Sequence, residues 1–179
     1  MNLLLFGFKQ CGKTYLGLRV AQKMQMHFID INHMIEHLFT ARYHKILTSQ
    51  EIIHHHGLHF FSELEKQVIY SLENTKNTVI ALGSEAVLDQ TNVDHLVKIG
   101  TLVYLETDKE ILERRMFSLE LPPAIDRKDL QASFKAMYEN RSLIYQHIPS
   151  LVINTGHHAE EHIIKMLRDI VSSSQKKSS

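Results

Sequence analysis

Short apolar runs of strand length alternate along this chain with longer stretches of helical period. The pattern predicts strands over 2–6, 26–30, 78–82, 101–105 and 151–154, nearly continuous in Val, Ile and Leu. Between them it predicts helices over 13–24, 32–41, 58–74, 128–146 and 158–171. Leu16, Val20 and Met24 share one face of the first helix, and Phe61, Leu64, Val68 and Leu72 form a core stripe on the third. Thr48 and Glu51 have capping-box spacing, which starts a short helix running into His54-His55-His56. Thr107 and Glu110 have the same spacing at the head of a helix ending at Met116, and Pro122-Pro123 opens a loop. Strands this apolar, alternating with helices, imply a three-layer α/β sandwich: a five-stranded parallel sheet covered on both faces. Ligands of such sheets bind at the carboxyl ends of the strands, here Gly7, Asp30, Gly83, Glu106 and Asn154.

No internal repeat or linker divides the chain, so 1–171 reads as one domain and the Ser- and Lys-rich residues 172–179 as a disordered tail. Hydrophobic residues at 44% and charged residues at 22% are ordinary for a globular protein. The formal net charge of zero provides no global field for nucleic acid or an anionic membrane, so neither is an expected partner. Cys11 is the single cysteine and has no intramolecular disulfide partner, which fits a reducing compartment. The apolar run at the start is short, with no basic segment before it and no cleavage site after it, and no stretch nears the roughly 20 residues of a membrane span. These features point to the cytoplasm.

The chemistry is concentrated in Gly7-Phe8-Lys9-Gln10-Cys11-Gly12-Lys13-Thr14, a Gly-x-x-x-x-Gly-Lys-Thr loop between the first strand and the first helix. In that context backbone N–H groups and the helix N-terminus cradle a β-phosphate, Lys13 reaches the β/γ oxygens, and the Thr14 hydroxyl binds Mg²⁺. ATP and Mg²⁺ are the expected donor and metal, with Gly7, Gln10, Cys11, Gly12, Lys13, Thr14 and Tyr15 as nucleotide contacts. Asp30, ending the second strand at the same edge, suits a second metal-holding position, as a Walker-B acid does. It suits an ordinary helix N-cap as well.

The order of landmarks from 2 to 170 resembles the shikimate kinases, a nucleoside-monophosphate-kinase-like P-loop family. The resemblance rests on the early P-loop and on Asp30-Ile31-Asn32, where the family has Asp-x-Asp. It continues through Gly57 and Phe61-Ser62-Glu63-Leu64-Glu65, where the family has Phe-Arg-x-x-Glu, and through Gly83-Ser84-Glu85, where it has a glycine triplet. Arg114-Arg115 and Arg141 ahead of the last strand complete it. The resemblance implies phosphorylation of shikimate by ATP, on the route to aromatic amino acids. It implies a lid over about 117–128, Arg115 against adenine and Arg141 on the substrate carboxylate. Asn32, Ser62, Gly83 and Ser84 complete the implied substrate contacts. The acceptor would be a shikimate-like hydroxy acid, and the protein a monomer.

The departures from the family pattern lie mainly on the acceptor side. Asn32 hydrogen-bonds a hydroxyl but does not take its proton. Ser62 stands where an arginine is expected, Glu85 brings a negative charge in place of glycine, and Pro122 occupies the place of a lid arginine. On the donor side, the fourth loop residue, often glycine, is Gln10. Glu85, at a strand's carboxyl end, is the expected substitute base beside Lys13 and Asp30. Arg127 or Lys128 is a candidate lid cation, and Arg42, Lys45 or a histidine of 54–56 a candidate for the missing arginine. Two other readings remain open: another small acid or polyol as acceptor, and a nucleotide-binding protein with no kinase activity. His33-Met34-Ile35-Glu36-His37 matches a zinc-peptidase spacing, but Met34, Ile35 and Leu38 already give that helix a buried face.

Overall fold

The computed structural model describes residues 1–119, 121–122 and 125–176. Five strands, β1 (Asn2–Phe6), β2 (His27–Asp30), β3 (Thr78–Ala81), β4 (Thr101–Glu106) and β5 (Leu151–Asn154), form one sheet in the order β2-β3-β1-β4-β5. All four pairings are parallel. The expected three-layer architecture is therefore present, with β1 central and wholly buried. The connection after β1 runs toward the β2 edge and the one after β4 toward the β5 edge. A crevice opens between strand ends where connections diverge in this way.

The helices are α1 (Lys13–Met24), α2 (Ile31–Tyr43), α3 (Ser49–Ser71), α4 (Gln90–Ile99), α5 (Lys109–Ser118), α6 (Leu130–His147) and α7 (Glu160–Lys176). None of them is long and apolar enough to cross a membrane. The Thr48–Glu51 capping box is complete in both directions. The short helix that it starts and the expected helix beginning at 58 run on as α3, kinked at Gly57, whose φ is +85°.

Three features differ from the sequence reading. Helix α4 was not expected, because its apolar face is short; Asp89 starts it by accepting from the Thr91 N–H at 2.7 Å, and Val93 and Leu96 anchor it. Thr107 does not cap α5, whose N-cap is Asp108; its hydroxyl instead pairs with that of Thr155 and ties the ends of β4 and β5 together. The expected tail from 172 is helical through Lys176, continuing α7 beyond a buried stripe of Ile163, Ile164, Leu167 and Val171. Residues 177–179 lie outside the described residues, as do 120, 123 and 124 of the expected lid.

Asn2 fixes the register at the far edge of the sheet. Its side chain is buried, donating to the carbonyls of Thr75 (2.6 Å) and Ile99 (2.9 Å) and accepting from the Thr78 N–H (3.1 Å). One amide thus joins the starts of β1, β3 and β4. Gly100 faces the same point, and a Cβ there would lie 2.6 Å from the Asn2 carbonyl oxygen and collide with the Leu4 side chain. Because a backbone atom cannot swing aside, Gly100→Ala is expected to destabilise the fold by about 1–3 kcal/mol in urea unfolding. An unchanged midpoint would show that this junction relaxes freely.

Candidate active site

The loop after β1 is shaped by residues that take left-handed backbone. Gly7 and Gly12 have φ of +143° and +100°, and a side chain at Gly7 would press a Cβ to 2.7 Å from the Leu105 carbonyl oxygen. Gln10 also has positive φ, +67°, which any residue other than Gly adopts at some cost. Lys13 Nζ donates to the carbonyls of Gly7 (3.0 Å) and Phe8 (2.7 Å) and lies 3.7 Å from the Cys11 sulfur. The ammonium is thereby held over the loop that the sequence pattern assigns to phosphate.

Thr14 and Asp30 meet directly: the threonine hydroxyl donates to Asp30 Oδ2 at 2.7 Å. The other carboxylate oxygen of Asp30 accepts from the Asn32 N–H at 3.0 Å and caps α2. The N-cap reading of Asp30 is met by one oxygen, and the other faces Thr14. A hydroxyl and a carboxylate are hard oxygen donors beside the loop, a set that fits Mg²⁺.

Two recesses flank the loop. The first is lined by Gln10, Cys11, Gly12, Tyr15, Arg115 and Thr155, with part of α7. Arg115 donates to the Gln10 carbonyl at 3.0 Å, so its guanidinium lies at this recess. The Tyr15 hydroxyl donates to Glu160 (3.0 Å) and accepts from Arg19 (2.7 Å), and Arg19 pairs with Glu160 at 2.7 Å. This trio ties α1 to the start of α7.

The second recess holds Lys9, Lys13, Asn32, Gly83, Ser84 and Glu85, closed by Glu65, Phe61 and Pro122. Glu85 is paired with Arg141, Oε1 to a guanidinium nitrogen at 2.5 Å, and Arg141 is only 9% exposed. Two separate expectations, a base and a carboxylate clamp, are thus joined in one ion pair. The Tyr145 hydroxyl donates to the Ser84 carbonyl at 2.7 Å and fixes the same turn against α6.

Ser62 departs from expectation. It is exposed and does not line the recess, because its one-carbon side chain does not reach where an arginine would. None of its candidate replacements lines it either. Arg42 donates to Gln67 at 2.9 Å, while His54 borders a neighbouring groove, as does Arg127, the candidate lid cation. Glu36 of the zinc-peptidase match accepts from the Ser49 N–H at 2.8 Å, a helix-end contact rather than a hydrolytic arrangement.

Two residues at this recess were missed. Lys9 lines it, although as a variable position in the loop pattern it carried no signal. Glu65 is 2% exposed, and its Oε1 has no hydrogen-bond partner. Burial first, and then the nearby Glu85 carboxylate, push the Glu65 carboxyl up to about 8. Glu65 matches the last position of the Phe-Arg-x-x-Glu pattern, but helical period alone makes it one more polar residue on a helix.

A family-wide sequence profile described as shikimate kinase matches residues 9–171. A shikimate kinase of Burkholderia lata is 31% identical over 166 residues, covering 93% of this chain and 87% of that protein. One from Clostridium botulinum is 30% identical over 169 residues, covering 93% and 94%. Among solved structures, the shikimate kinase of Acinetobacter baumannii in complex with shikimate superposes with a TM-score of 0.84 at 24% identity, over 97% of this chain and 93% of that one. The profile match spans nearly the whole fold, both recesses included, and the chain belongs to the shikimate kinase family.

Proposed function

We propose that this protein transfers the γ-phosphoryl group of ATP to shikimate, giving shikimate 3-phosphate. The observation that carries the reading is Lys13, which belongs to the phosphate loop and also lines the recess holding Asn32, Gly83 and Glu85. Donor and acceptor sides meet at one ammonium. Phosphoryl transfer depends chiefly on positioning and on neutralising charge, and the site offers both. Loop N–H groups and the N-terminus of α1 face the phosphates, with Gly7, Gln10, Cys11, Gly12 and Tyr15 in contact with the nucleotide and Arg115 against adenine. Lys13 leaves the loop carbonyls for the β/γ oxygens when nucleotide enters. Thr14 and Asp30 would hold Mg²⁺, which would supply charge neutralisation to the phosphates.

On the acceptor side Asn32, Gly83, Ser84 and Arg141 surround the hydroxy acid, and Pro122, of the lid expected over about 117–128, lines the recess. The protein acts as a single domain, as a monomer in the cytoplasm, with small molecules rather than nucleic acid or membrane as partners. One observation favours a second reading, a different hydroxylated acceptor: Arg141 is engaged by Glu85, so the carboxylate clamp is shared with a protein carboxylate.

ADP release from MgATP is expected to depend on shikimate, with gluconate and nucleoside monophosphates inactive; release with one of those alone would move the assignment to the second reading. Lys13→Met is expected to lower kcat/KM by about 10²–10³-fold, the cost of removing one preorganised charge-stabilising donor. Activity within a few-fold of the parent would remove Lys13 from the chemistry.

Arg141→Met separates binding from structure. It should raise the shikimate KM by about one to two decades, the loss of a charged hydrogen bond. It should also cost about 3 kcal/mol of stability, because Glu85 is left unpaired beside Glu65. Adding Glu85→Leu should recover the stability and leave the KM raised. Recovery of both by the double variant would make Arg141 purely structural.

A further inference from the structure

The acceptor proposed above is an acid, yet most positive charges near its recess are already engaged. Arg141 is paired with the Glu85 carboxylate. Lys13 donates to the carbonyls of Gly7 and Phe8 and is assigned to the phosphates when nucleotide enters. Ser62 stands where the family pattern has an arginine, and Arg42 is turned away to Gln67. Glu65 and Glu85 both border the space, so an entering carboxylate meets two carboxyl groups. Among the described residues, Lys9 is the remaining cation that lines this recess.

The loop leaves position 9 open to such a task. Its phosphate contacts come from backbone N–H groups and the helix terminus, so the side chain at this position is not needed for them. Lys9 lines the acceptor recess and not the recess holding Arg115. Its neighbour fixes where it stands. Phe8 is fully buried, stacked on Tyr138 of α6 at 5.0 Å and edge-on to Tyr145 at 5.0 Å. The Tyr145 hydroxyl also holds the Ser84 carbonyl at 2.7 Å. One tyrosine thus anchors the loop carrying Lys9 and the turn carrying Ser84 and Glu85, two walls of the same recess.

We propose that Lys9 is an acceptor-recognition residue: its ammonium pairs with the carboxylate of the bound hydroxy acid. It supplies from the phosphate loop the positive charge that Ser62 does not supply from α3. The inference rests on the acceptor reading of this recess and deepens it, by naming the group that selects an acid over a neutral polyol. Lys9 is half-buried, where an ion pair is screened less than at an open surface.

The test compares shikimate with its methyl ester, which keeps the hydroxyls and lacks the charge, in the full-length enzyme at saturating MgATP. The parent should favour shikimate in kcat/KM. Lys9→Met, which keeps most of the aliphatic stem, should raise the shikimate KM about 10–100-fold, the loss of one charged hydrogen bond. The ester KM and the ATP KM should stay within about threefold, so the preference for the acid falls by the same factor. Lys9→Arg, which keeps the charge, should retain most of that preference. A parent that does not distinguish acid from ester overturns the inference. So does an equal rise for both acceptors in Lys9→Met, which would make the residue a matter of shape. A fall in kcat with the shikimate KM unchanged also overturns it, and would assign Lys9 to the phosphates. Circular dichroism identifies folded variants, and Lys9→Gln is read by the same ratio if Lys9→Met does not fold. No turnover of either acceptor by the parent would overturn the acceptor assignment beneath, whereas turnover with an unchanged ratio in the variants overturns only the role of Lys9.

Discussion

The acceptor half of this molecule depends on keeping three ionisable groups compatible, Glu65 and Arg141 buried and Glu85 half-buried. Glu65 of α3, Glu85 after β3 and Arg141 of α6 converge at the end of the sheet, with two carboxyls and one guanidinium among them. At low effective dielectric, like charges a few ångströms apart repel by several kcal/mol, and desolvation adds to that. The guanidinium neutralises Glu85 and a proton neutralises Glu65. This solution constrains its neighbours. Position 83 must lack a side chain because the Glu65 carboxyl fills that space, and α6 must sit where Arg141 and Tyr145 reach the 84–85 turn. The fold of the turn and its electrostatics are one problem.

Sheet order explains why that problem stays local. In β2-β3-β1-β4-β5, the strand carrying the phosphate loop is central. Asp30, Asn32 and Gly83 follow β2 and β3 on one side of it. Thr155, the start of α7 and Arg115 of α5 follow β5 and β4 on the other. The two recesses are therefore built from different strands and share only the loop. Lys9 and Lys13 both belong to the loop and line the acceptor recess.

What was legible in the sequence follows from which interactions are periodic. The five strands and the phosphate loop could be read because continuous apolar runs and glycine spacing are local signals. The capping role of Asp30 was legible, since its position after a strand and before a helix implied it. Helix α4 was not, because Val93 and Leu96 make too short a stripe to stand above loop composition. Arg141 and Glu85 were each singled out, but nothing local indicates that residues 56 positions apart share a bond. Glu65 was hidden for the opposite reason. A glutamate on a helix normally faces solvent, and only tertiary packing reveals that this one does not. Ser62 was placed by motif register, which assigns position without reach.

Charge arithmetic links the departures from the family pattern. Ser62 and Pro122 each stand in place of an expected positive charge, Glu85 adds a negative one, and Asn32 removes a negative one. The sum is two units more negative, an unfavourable change for a site that takes an acid. A proton on Glu65 offsets one unit, and Lys9 puts an ammonium on the wall of the same recess. The donor side shows fewer such changes because its recognition is by backbone N–H groups and a helix terminus, which do not depend on most side chains. The acceptor side is read by side-chain charge, so one substitution there demands another. A buried carboxyl can supply that compensation without mutation, by changing its protonation rather than its identity.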